Sequence, residues 1–180
     1  MNNSKHVKKI LNDGYTVIKN VLGKEECKKI KEICKKNYLR YTKLTKIKNP
    51  REQTIYNLHN KNDIFLKFIA HKKTFGLAEK LLSIGSYKSS GEIILRQTAA
   101  RNPLKGNSQQ LHNDTRLVGC KYPLVVHMIY MLDDFKKENG ATRIVPKSHK
   151  RLYYAKNNKI YKDEVLITGK KGSVLIFDAS

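Results

Sequence analysis

The chain has 180 residues, with 37 Lys and Arg against 15 Asp and Glu, for a net charge of +22. Hydrophobic residues make up 39%, and ten Tyr and five Phe supply aromatic bulk without a Trp. That balance excludes a disordered or collagen-like chain and a disulfide scaffold, and no apolar run approaches the ~20 residues of a membrane helix.

The charge comes mostly from Lys: 30 of the 37 basic residues, beside 15 Asn and 16 Ile. Lys, Asn and Ile rising together is the mark of a biased genome composition. By thirds the net charge is +10, +6 and +6, so it is spread along the chain. Nucleic-acid readers gather basic residues on one face and rely on Arg for phosphate and base contacts. A solvated Lys-rich surface is therefore the reading, with attraction of a small anionic substrate second and nucleic acid not expected. Cys27, Cys34 and Cys120 form no CxxC pair, which suits a reducing compartment. The first residues lack the apolar stretch of a secretory signal. A cytoplasmic protein is the expectation.

Residues 15–18 (YTVI) read as a short strand. Gly23 opens a helical pattern with Glu25 and Glu26 in its first turn, where the helix dipole favours acids. Cys27, Ile30, Ile33, Cys34 and Tyr38 follow at helical spacing on one face. Residues 41–59 are irregular and basic and read as loop. Asp63 is placed to cap a helix carrying Ile64, Phe65, Phe68 and Ile69, and a second helical stretch covers 74–82.

The texture then changes. Residues 92–98 (EIILRQT) are strand-like, 102–107 read as loop, and 109–115 as a short extended piece. Residues 123–132 (PLVVHMIYML) are apolar on both faces, as a central strand would be. Asn139-Gly140 marks a turn. Short strands are expected at 142–145, 164–168 and 172–178. Helices first and strands later, without alternation, point to an antiparallel sheet carrying N-terminal helices, in a barrel or jelly roll. One domain is expected, with a helical part over about 1–90 and a β core over about 91–180.

The sharpest chemical signal is Gln110-Leu111-His112-Asn113-Asp114. In an extended segment, residues i and i+2 point to one side, so His112 and Asp114 converge and Asn113 turns away. One imidazole and one carboxylate are two thirds of the facial triad that binds Fe(II) and leaves three positions open. Alone the pattern is weak.

Three other segments add to it: DGYTVIKNVLGKEEC near the start, ENGATRIVPKSHK over 138–150 and KGSVLIFDAS at the end. With QLHNDT they resemble the phytanoyl-CoA dioxygenase family, in that family's order and over about residues 13–180. The resemblance implies a double-stranded β-helix and an Fe(II)- and 2-oxoglutarate-dependent oxygenase that uses O2 to hydroxylate a small molecule. His112 and Asp114 would be its first two metal ligands. Retention of Asp114 argues for hydroxylation, because related halogenases replace that carboxylate with a small residue. The family usually has Gly where this chain has Lys147, which suggests a different turn there. A distal His ligand and an Arg for the far carboxylate of 2-oxoglutarate would follow residues 172–178, beyond Ser180. The expectation is thus a chain lacking its C-terminal part, its last strand at an open edge, inactive as it stands. The alternative is a β-helix domain that binds without catalysing.

Gln97 and Tyr130 are polar residues on strands expected to line the barrel, and either could bond 2-oxoglutarate. An ordinary sheet polar group and a core Tyr are the plainer readings for them. His127 reads as a packed core histidine and His149 as a support for its own turn. His6, His59 and His71 sit in basic or helical settings.

Overall fold

A computed structural model describes residues 3–45, 52–85, 93–104, 109–115, 118–156 and 159–179. Helix α1 (Asn3–Asp13) leads into strand β1 (Tyr15–Ile18), then helix α2 (Lys24–Thr45) and strand β2 (Glu52–Tyr56). Short helices α3 (Leu66–Ile69) and α4 (Phe75–Leu82) precede strands β3 (Ala99–Pro103), β4 (Val126–Tyr130), β5 (Arg143–Ile144), β6 (Val165–Leu166) and β7 (Val174–Asp178).

Every strand pairing among the described residues is antiparallel. The main sheet runs β1-β7-β4, and β2-β3 and β5-β6 form two ribbons beside it. Val174, Leu175 and Ile176 are fully buried because β7 has a partner on each edge and a packed layer on each face. This corrects two expectations. The last strand is the middle of its sheet, and β4, expected to be central, borders it and is only partly buried along its length. An apolar run by itself does not tell which strand lies in the middle.

The two faces of the sheet serve different layers. Ile18, Val174 and Ile176 face the helices, where they pack with Ile10, Cys27, Ile30, Cys34, Leu77 and Leu81. Leu175 and Ile129 face the other way, against Ile167, Ile144 and Val165. Helix α2 buries Cys27, Ile30, Cys34 and Tyr38, the stripe expected from its spacing. Burial pushes the Cys34 thiol up to about 11, so it packs as a small apolar group.

Several local expectations are corrected. Residues 3–13 form a helix, which the short, strongly charged segment did not announce. Helix α2 continues to Thr45, and strand β2 occupies part of the expected loop. Residues 93–98 are not a strand; pairing begins at Ala99, opposite Tyr56. The cap of the 63–65 turn is Asn62, whose side chain accepts from the Ile64 N–H at 3.0 Å, rather than Asp63. The helical N-terminal part also holds β1 and β2, which pair with β7 and β3 of the later part. Residues 86–92, within the expected turn and strand, lie outside the described residues.

Two backbone positions fix the frame around the sheet. Gly172 has φ +82°, and an added Cβ would meet the Leu22 carbonyl oxygen within van der Waals contact. The chain passes closely there because Val21 and Leu22 N–H both donate to the Gly172 carbonyl. Lys147 has φ +61°, the left-handed conformation that the family's Gly would supply. The turn is therefore kept and not changed, with the Lys147 N–H donating to the Asp13 carbonyl at 2.9 Å.

Candidate metal centre

Residues 109–115 run along the mouth of the jelly roll without belonging to a strand, and three polar contacts hold them. The His112 ring nitrogen Nδ1 donates to the Gln110 carbonyl at 2.8 Å. The Ala155 N–H donates to Asn113 Oδ1 at 2.7 Å, which turns that side chain away from its neighbours. Thr115 is buried, and its hydroxyl donates to the Ala179 carbonyl at 2.8 Å, just past β7. Period-2 alternation then brings His112 and Asp114 to one side.

There His112 Nε2 lies 3.4 Å from Asp114 Oδ1. The other carboxylate oxygen, Oδ2, lies 3.4 Å from His127 Nδ1 on β4. The His127 ring stands edge-on to Phe177 of β7, with centroids 5.3 Å apart, because register places the two residues opposite one another. These side chains are partly exposed: 45% for His112, 30% for Asp114 and 36% for His127. They sit in the wall of an open cleft of about 3530 Å³.

The electrostatics follow from the contacts. Burial pushes the Asp114 carboxyl up, but hydrogen bonds from His112 and His127 and their charges outweigh it, so it lies well below the usual carboxylate range. The Asp114 contact pushes His112 above its ordinary value, against the opposite effect of burial. With its Nδ1–H committed to Gln110, neutral His112 turns the Nε2 lone pair towards a carboxylate. Two such donors face each other favourably only with a cation between them, a proton or a metal ion. Nitrogen and oxygen ligands at ~2.0–2.2 Å from one ion, near a right angle, stand about 3 Å apart. The pair therefore fits a divalent metal. Among the described residues, no group of three His, Cys, Asp or Glu is placed to hold one.

The remaining histidines have other employment. His6 Nδ1 meets the Thr16 hydroxyl at 2.9 Å, and His59 Nδ1 meets Thr98 at 2.8 Å. The Lys73 N–H donates to His71 Nδ1. His149 Nε2 donates to the Leu11 carbonyl at 3.2 Å, supporting its turn.

The two candidate cosubstrate residues are placed differently from one another. Tyr130 points to the helical face of β4, with Val126 and Met128, and away from His127. Its hydroxyl meets Thr74 Oγ1 at 2.8 Å and donates to the Phe68 carbonyl at 3.1 Å, and its ring packs on Phe68. Gln97 is exposed and lies on the non-strand segment before β3, along the cleft. His127 is the neighbour that sequence reasoning placed in the core. Its position two residues from Ile129, in alternation with Val126 and Met128, was the available signal; which face looked towards Asp114 was not.

Fold and family place the protein in a class, the 2-oxoglutarate-dependent oxygenases built on a jelly roll. Residues 10–180 match the family model described as phytanoyl-CoA dioxygenase (PhyH), and the chain belongs to that family. No curated protein matches the sequence. Among solved structures, EctD from S. alaskensis with bound Fe is 19% identical with a TM-score of 0.74, over 98% of this chain and 68% of that one. HygX from Streptomyces hygroscopicus, with nickel and 2-oxoglutarate bound, is 14% identical with a TM-score of 0.73, over 97% of this chain and 77% of that one. The epimerase SnoN, in complex with Fe3+, alpha ketoglutarate and nogalamycin RO, is 15% identical with a TM-score of 0.69, over 98% and 74% of the two chains. At these identities the likeness is one of fold.

Proposed function

We propose that this chain holds Fe(II) through His112 and Asp114 and uses 2-oxoglutarate and O2 to hydroxylate a small organic molecule. The observation that carries the reading is the 3.4 Å approach of His112 Nε2 to Asp114 Oδ1, with the Gln110 carbonyl orienting the imidazole. Bound iron would supply oxidation coupled to decarboxylation of the keto acid. The protein's own part is to aim the two ligands, with His127 and the Phe177 ring behind it beside the carboxylate.

The substrate class is supported by analogy. The solved structure of HygX holds hygromycin B and that of SnoN holds nogalamycin RO, both small molecules. His112 and Asp114 open on a cleft rather than a closed core, which leaves them accessible to such a ligand. Three free cysteines suit a reducing, cytosolic setting. Among the described residues, no helix is long and apolar enough to cross a membrane.

A second reading is a domain that keeps the fold and binds without turnover. It is favoured by the absence of a three-donor metal group among the described residues. One experiment separates the two. Succinate formation is followed with Fe(II), ascorbate and 2-oxoglutarate, and binding of Mn(II) is measured by calorimetry. Succinate production abolished by Asp114→Ala supports the oxygenase. Mn(II) binding lost in Asp114→Ala, without succinate from the parent chain, supports the binding domain. Mn(II) binding indifferent to Asp114→Ala removes the metal centre altogether.

A further inference from the structure

We infer that His127 is a positioning residue that holds Asp114 to one-oxygen binding, an inference that rests on the metal-holding reading above. The carboxylate lies between two imidazoles, its Oδ1 at 3.4 Å from His112 and its Oδ2 at 3.4 Å from His127. An ionised carboxylate only accepts, and both of its oxygens can ligate one metal. An Asp114 free to rotate would close both oxygens on the ion and fill an extra coordination position. Oxygenase chemistry needs open positions on the ion for cosubstrate and O2, and a second carboxylate oxygen would take one of them. A donor on the far oxygen prevents that closure, and His127 Nδ1 is the ring nitrogen that faces it, at 3.4 Å.

The sheet, and not a loop, sets this donor. His127 lies within β4, opposite Phe177 in the β4–β7 register, and its ring rests edge-on against the Phe177 ring. The 109–115 segment is tied to the end of the same strand β7 through Thr115 and Ala179. Asp114 and His127 are therefore referred to one rigid element from two directions. The His127 side chain keeps 36% of its surface exposed, so a polar replacement there needs no buried partner. Outer partners of metal ligands orient them and change metal affinity by about 10–100-fold when removed.

The test compares Mn(II) affinity by calorimetry in the parent chain, His127→Phe, His127→Asn and His127→Gln. Phe keeps a ring against Phe177 and removes the donor. Asn places an amide nitrogen where Nδ1 stands, and Gln places it further out. The expected result is an affinity that departs about tenfold or more from the parent in Phe, returns to the parent value in Asn and does not in Gln. Far-UV circular dichroism melts check folding, and if Phe unfolds the chain, the Asn and Gln pair decides. Unchanged affinity in Phe, or equal behaviour of Asn and Gln, overturns the positioning role while leaving the metal centre standing. A parent chain that binds no Mn(II) overturns the metal-holding reading and this inference with it.

Discussion

The Thr115 hydroxyl donates to the Ala179 carbonyl at 2.8 Å, joining residues 64 positions apart in the chain. Through that bond, a segment outside every strand takes its place from the best-buried strand of the sheet. Thr115 stands next to Asp114, so the bond bears on where the carboxylate points.

Thr115→Val therefore has two expected effects. The Ala179 carbonyl loses its partner in a buried setting, which costs about 1–2 kcal/mol. Urea unfolding reads this as a lower midpoint with an unchanged slope. Mn(II) affinity should fall as well, because the segment carrying His112 and Asp114 loses one of its ties. A variant as stable as the parent would show that water or a neighbouring group satisfies that carbonyl.

Tyr130→Phe should separate stability from the site. The variant loses the contact with Thr74 and the bond to the Phe68 carbonyl, while Thr74 keeps a bond to the His71 carbonyl. A loss of about 1 kcal/mol in unfolding free energy is expected. Mn(II) and 2-oxoglutarate affinities should stay at the parent values, since Tyr130 faces the helices. Reduced 2-oxoglutarate affinity with normal metal binding would support a cosubstrate role for Tyr130.

Lys147→Gly should stabilise the protein. Lys147 holds φ +61° and ψ +9°, a conformation that costs an L side chain about 1 kcal/mol and glycine nothing comparable. The bond from its N–H to Asp13 is independent of the side chain. Thermal unfolding should rise by a few degrees, as ~1 kcal/mol implies for a domain of this size. Lys147→Ala, which keeps the strain, should show little of the gain.

The pH dependence follows from opposite shifts. His112 is raised above its ordinary 6.5, so its contribution to stability is present at low pH and lost as pH rises through its folded value. Asp114 is lowered below 3.8, so its contribution is present above that value and lost as pH falls through its folded one. The pair thus stabilises the fold most between about 3.8 and 6.5. A metal ion must displace the His112 proton, so Mn(II) affinity should climb about tenfold per pH unit below the His112 value and level off above it. Calorimetry in two buffers of different ionisation enthalpy checks the proton released. Affinity flat between pH 5 and 8 would remove His112 from the ligand set.

Much of this protein was legible in its sequence where the signal is local. The α2 stripe, strand β1 and the turn at Asn139-Gly140 follow from spacing and turn chemistry, and the family segments lie in order along the chain. The convergence of His112 and Asp114 follows from alternation alone, because it needs only an extended backbone over three residues. Pairing decided the rest. Whether an apolar run is an edge or a centre depends on which strands flank it, and residues 174–178 became central only through β1, which lies more than 150 residues earlier. Tyr130 and His127 sit three residues apart on one strand, and alternation says they face opposite ways; it does not say which side holds the helices. The partner of Asp114 Oδ2 was hidden for the same reason. A contact between a loop and a strand 13 residues away is set by the path of the whole sheet, and no local periodicity encodes it.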